Sequence, residues 1–176
     1  MLRGQTVVLR PVGERDLGLL ACWRNDPDNR QFFFSTLLIY PEGQKKWFDA
    51  LIADPSRMLL IIENLEGKAV GMIGLGKIDA RNQECEGGPI IVVKDERQHG
   101  YAEEAIELLL KYAFEELNMN RFYCYCYPFN RVVELMKHLF GFKEEGVLRQ
   151  SVFTQGQFYD KVLLALLREE WKDENG

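Results

Sequence analysis

An apolar run, Pro89-Ile90-Ile91-Val92-Val93, is joined to a long amphipathic pattern by the short basic stretch Arg97-Gln98-His99-Gly100-Tyr101-Ala102. Few features constrain a chain more, because a buried strand must pass through a tight, glycine-containing turn directly into a helix. That geometry points several backbone N–H groups outward, with the positive end of a helix dipole behind them. Proteins hold phosphates this way with few side chains. Gly100 lets the backbone approach an anion closely, and Ala102 keeps the first helical turn thin. The spacing fits an ordinary strand-to-helix turn with a glycine hinge equally well.

The remaining pattern predicts a mixed α/β chain. Residues 6–10 alternate as a short strand, and residues 14–23 carry Leu17, Leu20 and Ala21 at helical spacing up to the stop at Pro27. Pro41-Glu42 opens a second helix with Trp47, Leu51 and Ile52 on one face. Residues 58–63 and 69–77 form a hairpin about Glu66-Gly67, and residues 84–93 are the strand before the Gly100 turn. The helix from Tyr101 turns Ala105, Leu108, Leu109, Tyr112, Ala113 and Leu117 inward and stops at Asn118. Residues 121–127 are an aromatic-rich strand ended by Pro128. Asn130 then caps a short helix that reaches Phe140 and is closed by Gly141. Strands over residues 147–154 and 158–167 follow, joined across Gln155-Gly156. The fold class is α/β, with antiparallel hairpins at each end and a parallel, right-handed strand–helix–strand unit over residues 84–127. A ligand at the C-terminal ends of that unit's strands meets the Gly100 turn.

The loop resembles the acetyl-CoA pyrophosphate loop of the GNAT superfamily of N-acetyltransferases: Arg or Gln, two residues, Gly, one residue, then Gly or Ala. Val8-Leu9-Arg10-Pro11, Asp16 and Trp23-Arg24-Asn25-Asp26 are similar to the opening of the branch that contains the ribosomal-protein N-terminal acetyltransferases. Asn130, Gly141-Phe142 and residues 144–149 follow in family order, and residues 156–171 are similar to the last hairpin of that branch. The resemblance implies a mostly antiparallel central sheet with flanking helices. It also implies a V-shaped opening between the strands over 84–93 and 121–127 that admits a pantetheine arm. The implied activity is transfer of an acetyl group from acetyl-CoA to a primary amine of a protein N-terminus or small molecule, by direct attack in a ternary complex. Residues 1–176 then form a single N-acetyltransferase domain.

By the same resemblance, the backbone of Ile91, Val92 and Val93 pairs with the pantetheine arm. The phosphates sit on Arg97, Gln98, His99, Gly100, Tyr101 and Ala102. Asn130 reads equally as a helix cap and as a cofactor contact. Glu84 and Glu86, two apart and on one strand face, are the candidate catalytic base, with a solvated acidic strand edge as the competing explanation. Trp23, Arg24, Asn25, Arg149 and Tyr159 are the candidate acceptor-binding residues. The chain departs from the family at Lys137, four residues ahead of Gly141, where many members carry a tyrosine acid. That departure motivates an alternative, a non-catalytic acyl-CoA-binding module serving as a sensor or assembly subunit. Gly74-Leu75-Gly76 resembles part of a dinucleotide fingerprint but lacks the third Gly and the following helix.

Composition bounds the partners. The chain has 176 residues, 47% of them hydrophobic, and no stretch of about 18 apolar residues, which suits one compact domain without a transmembrane helix. The first residues lack the apolar core of a signal peptide, so a cytoplasmic location is expected. Cys22, Cys85, Cys124 and Cys126 have no zinc-like spacing, so no metal is expected. A net charge of −5 without a basic tract argues against nucleic acid. The expected partner is an amine-bearing acceptor (a protein N-terminus, an amino sugar, a polyamine or an aminoglycoside), and a homodimer is allowed.

Overall fold

The computed structural model describes residues 1–171, and residues 172–176 of the expected domain lie outside the described part. The strands are β1 (Leu2–Arg3), β2 (Val7–Pro11), β3 (Met58–Asn64), β4 (Ala69–Asp79), β5 (Glu84–Val92), β6 (Arg121–Cys126), β7 (Lys143–Thr154) and β8 (Gln157–Leu167). The helices are α1 (Leu17–Asn25), α2 (Pro27–Arg30), α3 (Pro41–Ile52), α4 (Tyr101–Lys111) and α5 (Val132–His138). The strands form one sheet in the order β1-β2-β3-β4-β5-β6-β8-β7, antiparallel throughout except for the β5–β6 pair. No helix among the described residues is long and apolar enough to cross a membrane.

Each sheet face carries its own core. Alternate residues such as Leu9, Leu60, Ile62 and Ile73 pack with Ala105, Leu109 and Phe114 under α4. The residues out of phase with them, Leu59, Ile61, Met72 and Ile91, pack with Leu20, Trp23 and Leu51 under α1 and α3. The sheet is thus buried on both sides, so its central strands read as near-continuous apolar runs.

Two helix faces differ from expectation. In α3 the inward residues are Gln44, Phe48 and Leu51, whereas Ile52 is 66% exposed. In α4 and the turn that continues it, the buried set adds Ile106, Leu110 and Phe114 to the expected Ala105, Leu109 and Ala113, while Leu108 and Tyr112 are only half-buried. The inward face is two adjacent i, i+4 rows, Ala105/Leu109/Ala113 and Ile106/Leu110/Phe114, and it runs on into a wide turn over Tyr112–Glu116, where Leu117 N–H donates to the Tyr112 carbonyl at i−5.

Two polar anchors fix the frame around the site. Arg10, 8% exposed, donates through Nη1 and Nη2 to both oxygens of Asp16 (2.7 and 2.8 Å) and through Nε to Glu63 (2.6 Å). Glu104, in the first turn of α4, accepts from the backbone N–H groups of Gln5, Thr6 and Val7 and from the Thr6 hydroxyl. It ties the start of α4 to the β1–β2 turn.

Candidate functional site

Strands β5 and β6 pair only at Glu84–Arg121, Cys85–Phe122 and Glu86–Tyr123, and then diverge. The sequence explains the split. Pro89 has no N–H for a ladder, and Gly88 lies so close to β4 that a Cβ there would sit 2.9 Å from the Gly74 carbonyl carbon. The β4–β5 register slips at the same place, between Ile73 and Leu75. The V-shaped gap opens into a cleft of about 1110 Å³ bounded by β5, β6, α4 and α5.

Hydrogen-bond alternation assigns the backbone groups of the open edge. Val93 N–H donates to the Val70 carbonyl (2.9 Å), so the Val70–Val93 and Met72–Ile91 pairs spend their polar groups between β4 and β5. Ile90 and Val92 therefore direct theirs toward the cleft. Of Ile91, Val92 and Val93, only Val92 faces the gap with its backbone. Its partner in phase is Ile90, which the period of two along the strand would have identified.

Beyond β5 the chain makes a tight turn over Lys94–Glu96, takes positive φ at Gln98 (71°) and Gly100 (76°), and enters α4. Among the described residues, none of the backbone N–H groups from Gln98 to Glu103 donates to a protein acceptor; the first to do so is Glu104, to Gly100. Six consecutive donors at the positive end of an 11-residue helix make a ready anion cradle. Ala102 lines the cleft beside them. His99 is exposed, stacks on Tyr101 with ring centroids 5.3 Å apart, and meets the Glu96 carbonyl through Nδ1. Arg97 also lines the cleft, but two of its donors are taken, Nε by the Val92 carbonyl (3.1 Å) and Nη2 by Asn29 Oδ1 (2.8 Å). Asn29 is buried and donates onward to the Trp23 carbonyl (3.0 Å). No local pattern signals that bridge, since its partners lie 6 and 68 residues away. Asn130 lines the cleft while its Oδ1 accepts from Val132 N–H (3.2 Å), which braces the turn ahead of α5, whose N-cap position is Arg131, and leaves its NH₂ group for other partners.

A second cavity of about 800 Å³ lies under α1, α3 and the segment joining α2 to α3. The two cavities share Arg24, Ser35, Glu86, Gly88 and Pro89, and so meet where β5 leaves β6. Glu86 is the only carboxylate among these five. Its Oε2 is buried, 2.7 Å from Lys77 Nζ, in an ion pair without hydrogen-bond alignment. Glu84 departs from expectation. It lines neither cavity and faces Arg121 at 3.6 Å, at the closed end of the V, while Arg121 grips Glu145 with two hydrogen bonds. Nearby, burial pushes the Tyr123 phenol up. Burial likewise pushes the Cys85 thiol up to about 12, as befits an inert core thiol.

The remaining expected residues separate. Arg24 stands at the junction, its guanidinium 4.0 Å from the centre of the Phe33 ring. Trp23 is 8% exposed and belongs to the core under α1. Asn25 grips the Ile39 backbone from both sides, donating to its carbonyl and accepting from its N–H at 2.8 Å each, and so shapes the second cavity without facing it. Arg149 is exposed on β7 and lines neither cavity, because the pairing of β7 slips between Leu148 and Val152. Tyr159 packs against Tyr127 and Phe129 with centroids 5.9 and 5.6 Å apart, also outside both cavities. Lys137 turns away to Glu144 at 2.6 Å. Among the described residues, no cluster of three or more His, Cys, Asp or Glu side chains is able to hold a metal.

Comparison with known proteins agrees with this geometry. A family model described as the acetyltransferase (GNAT) domain matches residues 6–139. A Bacillus subtilis (strain 168) protein provisionally named as the ribosomal N-acetyltransferase YdaF is 29% identical over 140 residues, 76% of each chain. The spermidine N(1)-acetyltransferase of Escherichia coli (strain K12) is 23% identical over 175 residues, covering 99% of this chain and 93% of the relative. The crystal structure of spermidine N-acetyltransferase from Vibrio cholerae in complex with CoA and spermine superposes with a TM-score of 0.87 at 21% identity, over 93% of this chain and 96% of that one. At that identity the likeness establishes the fold.

Proposed function

The chain belongs to the acetyltransferase (GNAT) domain family, and we propose that it moves an acetyl group from acetyl-CoA to a primary amine by direct attack in a ternary complex. The observation that carries this reading is the meeting of two cavities at Glu86. One carries an open strand edge and a row of free N–H groups, and the other opens from the opposite face of the sheet. These residues suit a long ligand with phosphates at one end: the Gln98–Glu103 amides and Arg97 take the phosphates, and the backbone groups of Ile90 with the N–H of Val92 hold an extended arm. When bound, acetyl-CoA supplies the thioester whose acetyl group is transferred.

Glu86 takes the proton from the incoming ammonium, because only a neutral amine attacks. Lys77 holds its carboxylate in place. Gly88 and Pro89 keep the gap open, so that amine and acetyl group meet at attack distance, which supplies much of the rate. A thiolate leaving group with a thiol pKa near ~8.5 departs without an obligatory acid, so the lysine at position 137 is tolerated. A single N-acetyltransferase domain is part of this reading: β7 and β8, beyond the matched residues 6–139, complete the same sheet. Val147, Leu148 and Phe153, exposed on the edge strand β7, support self-association in a homodimer.

The test is calorimetry with CoA, followed by free-thiol release from acetyl-CoA over a panel of amines. The expected result is CoA binding with amine-dependent thiol release. Absence of both would overturn the reading. Binding without turnover of any amine would return the non-catalytic module.

A further inference from the structure

The charges around the second cavity are unevenly paired. Its acidic groups have partners of their own: Asp54 Oδ1 accepts from the Ser56 N–H (3.0 Å) and hydroxyl (2.6 Å) and Arg57 lies near the same carboxylate, while Glu86 stands against Lys77. Three cations around the junction make no salt bridge among the described residues. Arg24, from α1, rests only on the Phe33 ring at 4.0 Å. Lys161, from β8, reaches the adjoining Phe34 and Tyr125 rings at 4.9 and 5.5 Å. Arg57, ahead of β3, lines the cavity near Asp54 without closing a salt bridge; the Ser56 hydrogen bonds, and after them this cation, hold that carboxyl below the usual range. The bias opposes that of the chain, whose net charge is −5.

Arg24 is the sharpest of the three. It lines both cavities, is half-buried, and has no hydrogen-bond acceptor among the described residues. Burial accordingly pulls its guanidinium down from the ordinary arginine range. A desolvated guanidinium with only an aromatic face for company is costly, and its planar fork of donors matches a carboxylate or phosphate in two-point contact.

We infer that the acceptor carries an acidic group, carboxylate or phosphate, a few bonds from the amine that is acetylated, and that Arg24 receives it beside Glu86. This rests on the acetyltransferase reading above and narrows its substrate class. A polyamine would set a second ammonium against Arg24 and Lys161, so the same charges act against cationic acceptors.

The experiment measures kcat/KM for thiol release at saturating acetyl-CoA with matched pairs of acceptors. Free small molecules are represented by β-alanine against β-alaninamide and phosphoethanolamine against ethanolamine. Peptides beginning with Asp against Asn represent a protein N-terminus, and spermidine is the cationic comparison. The expected result is a preference for the acidic member of a pair by roughly 10–100-fold, the worth of a charge-assisted hydrogen bond. Arg24→Gln should collapse that ratio toward one by raising the KM of the acidic member, and Arg24→Lys should restore part of it. The pairs that show the preference identify the source, free acid or peptide. Fastest turnover of spermidine, or an unchanged ratio in a folded Arg24→Gln variant, would overturn the inference while leaving the acetyltransferase reading intact. Turnover of no amine at all would overturn both.

Discussion

Arg10 and Arg24 are both withdrawn from water, and the difference between their surroundings separates scaffold from site. Arg10 is enclosed by Asp16 and Glu63, and the hydrogen bonds it donates to Asp16 outweigh burial and raise its already high pKa further. Its charge is fully answered within the fold. Arg24 has one aromatic ring and two cavities. A buried charge that the protein pairs is part of the frame, whereas one left unanswered beside a cavity is addressed to something that arrives.

The largest effect that tests this contrast falls on the scaffold side. Asp16→Ala leaves Arg10 buried without its two-point partner and should cost about 3–5 kcal/mol in chemical denaturation. Asp16 is also a pH-sensitive element, because its hydrogen bonds to Arg10, opposed by burial, hold the carboxyl below the usual range. The stability it contributes is therefore present above the unfolded-state pKa of about 3.9 and drains as pH falls through the lower folded value. Asp16→Asn should lower stability at neutral pH and flatten that acid limb. An acid limb as steep as in wild type would assign it to other carboxylates. Glu104, where burial raises the pKa but donors from Thr6, Gln5 and Val7 outweigh it, titrates in the same direction.

A smaller effect belongs to the anion cradle. Gly100→Val places a branched residue at φ 76°, where it is strained although nothing lies within 4 Å of the new Cβ. It should cost roughly 1–2 kcal/mol in a thermal melt and weaken CoA binding by calorimetry. Undiminished affinity would mean that the phosphates bind elsewhere.

The smallest stability effect is expected for Arg24→Gln, within about 1 kcal/mol of wild type, because no ion pair is lost and the cost of burying a charge is relieved. A loss as large as that of Asp16→Ala would erase the distinction between the two arginines.

The same contrast explains what could be read in the sequence. Local chemistry was legible: the Gly100 turn, the Pro41 helix start and the hairpin at Gly67 follow from backbone rules that need no distant partner, and each stands where expected. Tertiary choices were not. Glu84 and Glu86 share one strand face, and only the divergence of β5 from β6 puts one at the junction and the other against Arg121. Asn25 fits an acceptor contact by resemblance, and its two bonds to Ile39, a residue 14 positions away, commit it to the backbone instead. The inward face of α4 sets Ile106 and Leu110 beside Ala105 and Leu109, and which side of a broad apolar stripe turns fully inward depends on the sheet it packs against.

The most direct test of the whole account is the turnover of Glu86→Gln, with Glu84→Gln beside it, followed by thiol release at saturating acetyl-CoA and acceptor across the pH range. The account predicts that Glu86→Gln lowers turnover by roughly 10²–10⁴-fold with CoA affinity retained, and that the residual rate recovers as rising pH neutralises the amine. Glu84→Gln should stay near wild type. Full activity of Glu86→Gln at every pH, or a loss carried by Glu84 instead, would contradict it.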